Sequence, residues 1–226
     1  PYPWSNETVA VSADFLTNSL ATALVARTWY RVGTNGSFTA LSMTGSLNHF
    51  TTSSSIPAQA PGTIVYYYLQ ADFGGPGGRS PTYWPSGGTN NPAWYGVTHN
   101  RHGDIWINEI SYENCTRTDD WTVAENTNEF VELCGLAAAD VGLWTIDLMD
   151  VYVPYASYQI PFNTLLPPDI PGFGFFLLGD TNIPNIDMAL TNVISGNNNL
   201  ARRGGVRLRN EFGVTEYYLT YGDPPP

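Results

Sequence analysis

The run Thr63-Ile-Val-Tyr-Tyr-Tyr-Leu-Gln-Ala-Asp-Phe73 is β-branched and aromatic through its first half and contains neither Gly nor Pro. In an extended chain successive side chains point to opposite faces, so Ile64, Tyr66, Tyr68 and Gln70 share one face while Val65, Tyr67, Leu69 and Ala71 share the other. The segment therefore reads as a strand, and it sets the class of everything around it.

Working outward, Thr8-Val-Ala-Val-Ser-Ala13 alternates apolar and polar residues, as a half-buried strand should. The run from Ala23 to Val32 stops at Gly33-Thr-Asn35-Gly36, where Asn-Gly supplies the positive φ that a tight hairpin needs, and Ser37 to Met43 is the returning strand. A Ser/Thr-rich link follows. Between Gly74 and Pro92 the density of Gly, Pro, Ser and Asn predicts a loop, with Tyr83 and Trp84 packed down on the domain. A last short strand spans Ala93 to His99. Some six strands in a hundred residues imply a β-sandwich. The stretches YRVGTNGSFTALSM (30–43), IPAQAPGTIVYYYLQADFGG (56–75) and WYGVTHN (94–100) resemble a fibronectin type III or related immunoglobulin-like module over residues 5 to 100.

Composition agrees. Charged residues make up 13% of the 226 positions and aromatics 14%, with 22 Gly and 17 Pro, too little Ala, Glu and Lys for a helical protein. Nine basic against twenty acidic residues give a net charge of -11, and no Lys/Arg cluster exceeds Arg202-Arg203. A nucleic-acid partner or an anionic membrane surface is thereby excluded, because both need concentrated positive charge. No run reaches the ~18 apolar residues of a bilayer span, so no membrane insertion is expected. The chain opens on Pro1-Tyr-Pro-Trp4 without an initiator Met, which is expected of a processed or excised segment of an exported, extracellular or cell-surface protein.

Arg101-His-Gly-Asp104 is a short polar linker, after which strand-like runs resume. INEISY (107–112), NEFVELCG (128–135), DVGLWTIDL (140–148), YQIPFNTLLPPDIPGFGFFLLG (158–179) and GGVRLRNEFGVTEYYLTYGD (204–223) follow in the order of a lamin tail domain, which this half resembles. The resemblance implies a small immunoglobulin-like sandwich that serves as an accessory module of exported and surface proteins, and it implies no catalytic residues. The chain departs from that pattern in a longer connection containing Cys115 and in an aromatic-rich stretch from Val151 to Ser157. The expected architecture is all-β, two tandem immunoglobulin-like β-sandwich domains over 1–100 and 105–226, the second ending in a Pro-rich tail that favours an extended conformation.

Within INEISY, Ile107, Glu109 and Ser111 alternate with Asn108, Ile110 and Tyr112. Glu109, Glu129 and Glu132 come together only if this strand pairs with the next, and they read first as solvent-facing strand carboxylates. The connection from Glu113 to Glu129 is the richest in oxygen ligands. Asp119, Asp120, Glu125, Asn126 and Glu129 are candidate ligands of a structural Ca2+, which takes six to eight oxygens, although the spacing matches no known calcium loop. No other cofactor is expected. Cys115 and Cys134 flank that insertion, and a disulfide between them would close an 18-residue segment, worth about 3 kcal/mol through chain entropy. Asn6, Asn35 and Asn114 head N-glycosylation sequons.

Enzyme motifs are missing: there is no G-x-S-x-G, HExxH, GxGxxG or P-loop. Aromatic residues supply the binding alternative. Trp84, Trp94, Tyr152, Tyr155 and Tyr158 fall in loops or alternating runs and are candidate contact residues. Trp29, Trp106, Trp121 and Trp144 are expected in the cores. The sequence thus points to a non-catalytic structural or adhesive module acting through protein contacts, including self-assembly into a homopolymer or filament. An accessory module for polysaccharide is the alternative.

Overall fold

A computed structural model describes residues 2–16, 23–46, 48–74, 81–112, 128–150, 153–191 and 203–222. The chain is all-β, and it divides into two compact units, Pro1–His99 and Asn100–Pro226.

Unit 1 contains β1 (Ser12–Asp14), β2 (Ala23–Val32), β3 (Thr39–Ser46), β4 (His49–Thr52), β5 (Ile64–Gly74), β6 (Thr82–Trp84) and β7 (Ala93–Gly96), with one 3-10 turn at Gly88–Asn90. These strands form a continuous antiparallel sheet in the order β1-β4-β3-β2-β5-β6, and β7 also pairs with β5. Its spine is β2 against β5, in register from Ala23↔Gly74 to Val32↔Val65. β3 turns from one neighbour to the other, pairing with β2 through Thr39–Ser42 and with β4 through Met43–Ser46. Alternation along β5 turns Val65, Leu69 and Ala71 inward, where they are buried, and Tyr68 on the other face is buried as well, at 5% exposure. Two small clusters result. Ala26, Met43 and Leu69 gather Val11, Ala13, Phe15 and Phe50, while Ile56, Val65 and Val97 gather Val9, Tyr30, Leu41 and Tyr95. The hairpin turn takes its positive φ at Gly33 and Gly36.

Two strands arise where the sequence offers no apolar alternation. β4 lies in the Ser/Thr-rich link, and β6 lies inside the Gly/Pro-rich loop. Both are short and are held by ladder bonds to a longer neighbour, which demands little of their side chains.

Unit 2 is a sandwich of two sheets around one core. The first sheet orders β12 (Pro168–Ile170), β13 (Phe173–Gly179), β9 (Phe130–Leu136) and β8 (Ile105–Ser111), with β14 (Met188–Ala189) parallel on β13. The second orders β11 (Val153–Gln159), β10 (Thr145–Asp150), β15 (Arg203–Arg209) and β16 (Thr215–Gly222). Ile105, Ile107, Val131, Leu133, Phe176 and Leu178 from the first meet Ile146, Leu148, Val206 and Leu208 from the second, with Trp144, Ile160 and Leu166 filling between them. Each such side chain contributes roughly 1.5–3 kcal/mol on burial. The run from Leu143 to Pro161, continuous in sequence, supplies both β10 and β11, which pair antiparallel with Asp150 opposite Val153.

The tryptophans divide differently from expectation. Trp144 is in the core, but Trp29 and Trp106 sit on outward sheet faces, opposite Tyr68 and Cys134 respectively, because strand parity places them there. Trp121 lies outside the described residues. Among the described residues no helix is long and apolar enough to cross a membrane.

Candidate functional site

The outward face of unit 1 carries a set of rings joined to polar groups, of which Tyr83 and Trp94 are exposed, Trp29 and Tyr66 half-buried, and Tyr68 buried at 5% exposure. Parity in β2 and β5 sends Arg27, Trp29, Arg31, Tyr66, Tyr68, Gln70 and Asp72 to the side opposite the core, and the register adds Tyr83 from β6 and Trp94 from β7. Trp29 and Tyr68 are near-parallel, with ring centroids 6.1 Å apart and planes 7° from each other. Tyr68 also meets Tyr83 and Phe38 edge-on, at 6.0 and 5.0 Å. The Arg31 guanidinium lies over Phe38 and Tyr66, 4.8 and 5.2 Å from their centroids, a cation–π arrangement that fixes the long side chain.

A polar string runs beside the rings. Trp29 Nε1 donates to Gln70 Oε1 at 2.9 Å, Gln70 Nε2 donates to Asp72 Oδ1 at 3.0 Å, and Arg27 Nη1 donates to Asp72 Oδ2 at 2.6 Å. Every group in the string has an internal partner, so the rings are held without a ligand. Trp94 is 49% exposed and Tyr83 41%. The result is a rigid surface of planar apolar faces edged by hydrogen-bonding groups, suited to stacking on another molecule with little loss of side-chain entropy.

Trp84, expected to pack down, is 54% exposed and rests against Tyr67 at 6.2 Å on the inward side of β6. In unit 2, Tyr155 is 40% exposed and Tyr158 is half-buried, its hydroxyl 3.2 Å from Thr191 Oγ1. Tyr155 and Tyr158 belong to a different unit from Trp84 and Trp94, and Tyr152 lies outside the described residues.

β8 and β9 do pair, and Glu109 faces Glu132 directly. Asn108 is the bulge residue between the paired positions Ile107 and Glu109, and its Nδ2 donates to Glu132 Oε1 at 2.7 Å. Asn108 thus serves the strand itself. Glu129 is buried, unlike its expected solvent-facing role. It lies by Tyr155 and Tyr221: burial first, then Tyr221 and the Glu129 charge, push the Tyr155 phenol up, and burial first, then the Glu129 charge, push Tyr221 up against a lowering hydrogen bond with Tyr155. Tyr155 and Tyr221 are hydrogen-bonded through their hydroxyls, and Tyr221 stacks on Tyr112 with centroids 4.1 Å apart. The other calcium candidates, Asp119, Asp120, Glu125 and Asn126, lie outside the described residues. Among the described residues no group of three or more His, Cys, Asp or Glu side chains is placed to hold a metal ion.

Cys134 is a buried free thiol on the outward face of β9. Burial, then the Glu132 charge, push it up against a weaker opposing hydrogen bond from the Gly135 backbone. Its expected disulfide partner Cys115 lies outside the described residues, as does Asn114. Asn6 and Asn35 are exposed.

One buried charge escaped the sequence reading. Asp147, fully buried in β10, accepts hydrogen bonds from Ser157, Arg207 and Arg209. Its only signal in the sequence is an Asp inside an apolar strand and an Arg-x-Arg pair in another. No family model matches the chain, and no curated protein matches it.

Proposed function

We propose that the chain is a non-catalytic structural or adhesive module of an exported protein, working through protein contacts. The observation that supports this reading is the outward face of unit 1, where Trp94 and Tyr83 stand exposed beside rings already fixed by Arg31, Gln70 and Asp72. Interfaces concentrate their binding energy in aromatic and Arg residues that lose little entropy on docking. The order of strand motifs supports reading residues 105–226 as a lamin-tail-type sandwich after a fibronectin-III-like module.

Sedimentation velocity across a range of concentrations tests the reading. Species larger than the monomer, diminished by Trp94→Ala together with Tyr83→Ala, support it. A strictly monomeric chain at millimolar concentration removes the homopolymer form of the proposal.

A polysaccharide-binding role is the second reading, favoured by the half-buried Trp29 and exposed Tyr83 rings beside the Gln70–Asp72 string. Sugar faces stack on such rings while their hydroxyls need polar partners. Retardation in polysaccharide affinity gels that Trp29→Ala abolishes supports it, and unaltered mobility on all polysaccharides removes it.

A further inference from the structure

Unit 1 contains a groove of about 490 Å3 on the opposite side of β5 from the aromatic face. The way its lining residues are spaced reveals its construction. From β5 only alternate residues contribute, Tyr67, Leu69, Ala71 and Phe73, so that strand presents a face and forms the floor. From β1 and its flanks the consecutive residues from Val11 to Leu16 contribute, and from β6 the consecutive residues Thr82 to Trp84. A strand whose neighbouring residues all line a cavity presents its edge to it.

Both are edges indeed. Among the described residues β1 pairs only with β4, and β6 only with β5. On β1, the Val11 carbonyl accepts from Thr52 and the Phe15 amide donates to Asn48, so these residues turn their backbone groups towards β4. Antiparallel alternation therefore directs the backbone N–H and C=O of Ser12 and Asp14 to the other side, the groove. The groove is thus floored by apolar side chains and walled by two strand edges.

We propose that this groove is a strand-acceptor site that takes an extended peptide with apolar side chains at alternate positions and a basic residue at the Asp14 end. A fatty chain would cover the apolar floor but leave the strand edges without hydrogen-bond partners. A sugar would waste the floor. An extended polypeptide answers both, because its backbone repeats the donors and acceptors of an edge while every second side chain points down. Ala13 and Ala71 are small and leave room opposite them, whereas Phe15 and the exposed Trp84 supply contact area. Asp14 is the one acidic side chain in the lining; its Oδ1 lies 2.8 Å from His49 Nδ1, and the largely exposed carboxylate keeps its other oxygen open to a basic residue at that end. At roughly 3.3 Å per residue, the edge from Val11 to Leu16 matches a peptide of about six residues.

The proposal deepens the protein-contact reading, from which it takes only that the partner is a polypeptide. The test uses the 226-residue chain and a synthetic peptide Lys-Val-Thr-Val-Thr-Val-Thr, with a twin N-methylated at each Val. Binding is followed by calorimetry and by hydrogen exchange at the Ser12 and Asp14 amides. The expected result is saturable binding of the plain peptide, slowing of both amides, and at least a tenfold weaker affinity for the twin, whose side chains are the same but whose ladder donors along one edge are replaced by methyl groups. Replacing Lys by Glu in the probe should weaken binding severalfold. Trp94→Ala, on the opposite face, should leave binding unchanged, so failure of the outward face and failure of the groove are separable. No binding at millimolar peptide, equal binding of the N-methylated twin, or binding of laurate in place of the peptide overturns the proposal. So does self-association of the chain that protects Ser12 and Asp14 and that the peptide does not compete away.

Discussion

Asp147 and Arg209 form a two-point ion pair, with Nε donating to Oδ2 at 2.7 Å and Nη2 to Oδ1 at 2.8 Å. Arg207 Nε adds a bond to Oδ2 at 2.8 Å and Ser157 one to Oδ1 at 2.7 Å, so a single carboxylate ties together β10, β11 and β15. Burial alone would raise the Asp147 pKa, but the bonds from Arg209, Ser157 and Arg207 outweigh it and hold the carboxyl below its usual range.

Removing that charge leaves two guanidinium groups facing an amide. Asp147→Asn is expected to cost about 3–5 kcal/mol, the range for breaking a buried pair from one side, read as a lower urea midpoint with an unchanged slope. The sign of the pH dependence follows from the depressed folded pKa. The contribution is complete above the unfolded carboxylate value of about 4 and is lost as pH falls through the lower folded value. The wild-type chain should therefore lose stability below pH ~4 more steeply than Asp147→Asn does.

Gly174 in β13 packs where no side chain fits. A Cβ there would lie 2.7 Å from the Pro167 carbonyl oxygen and 2.8 Å from Leu166 Cβ. Backbone cannot swing aside as a side chain can, so Gly174→Ala is expected to destabilise unit 2 by about 1–3 kcal/mol. Thermal denaturation followed by circular dichroism checks it. A melting temperature within a degree of wild type would show that β12 and β13 separate at little cost.

Cys134 should be chemically quiet. Burial and the neighbouring Glu132 charge disfavour its thiolate, which is the reactive form. At pH 8 the folded chain is expected to leave the Cys134 peptide unmodified by iodoacetamide over a time that alkylates a free peptide thiol completely, and to react in denaturant without prior reduction. Peptide mass mapping reads both. A Cys134 that reacts in denaturant only after reduction is instead bridged to Cys115.

What the sequence made legible was whatever has a period. Alternation divided Ile64 to Ala71 into two faces, and one of them supplies the buried Val65, Leu69 and Ala71, while burial of Tyr68 on the other face depends on the rings that neighbouring strands bring to it. What stayed hidden depends on register between distant strands. Nothing near Asp147 in sequence announces that Arg207 will stand opposite it, sixty residues later. Trp29 and Trp106 were misplaced because hydrophobicity favours the core while parity decides the face. The groove wall at β6 was invisible for a third reason: three residues inside a Gly/Pro-rich loop became a strand only because β5 offered them an edge.

The tyrosine cluster of unit 2 gives the alkaline counterpart of the Asp147 behaviour. Tyr155 and Tyr221 are hydrogen-bonded to each other and close to buried Glu129; burial first and then Tyr221 and Glu129 raise Tyr155, while burial first and then Glu129 raise Tyr221 despite the lowering effect of its bond with Tyr155. In unit 1 burial also raises Tyr67 and Tyr95. A raised folded pKa means that the stabilising contribution is fully present below the unfolded value of about 10 and fades as pH rises through the folded value. Absorbance at 295 nm is therefore expected to show only part of the 14 tyrosines ionising reversibly near pH 10 to 11, with the rest ionising together with unfolding. Tyr155→Phe should remove one of the late phenols and leave the early group unchanged. Titration of all tyrosines in one reversible step near pH 10, with the fold intact by circular dichroism, would show that the Tyr155–Tyr221 pair is open to water.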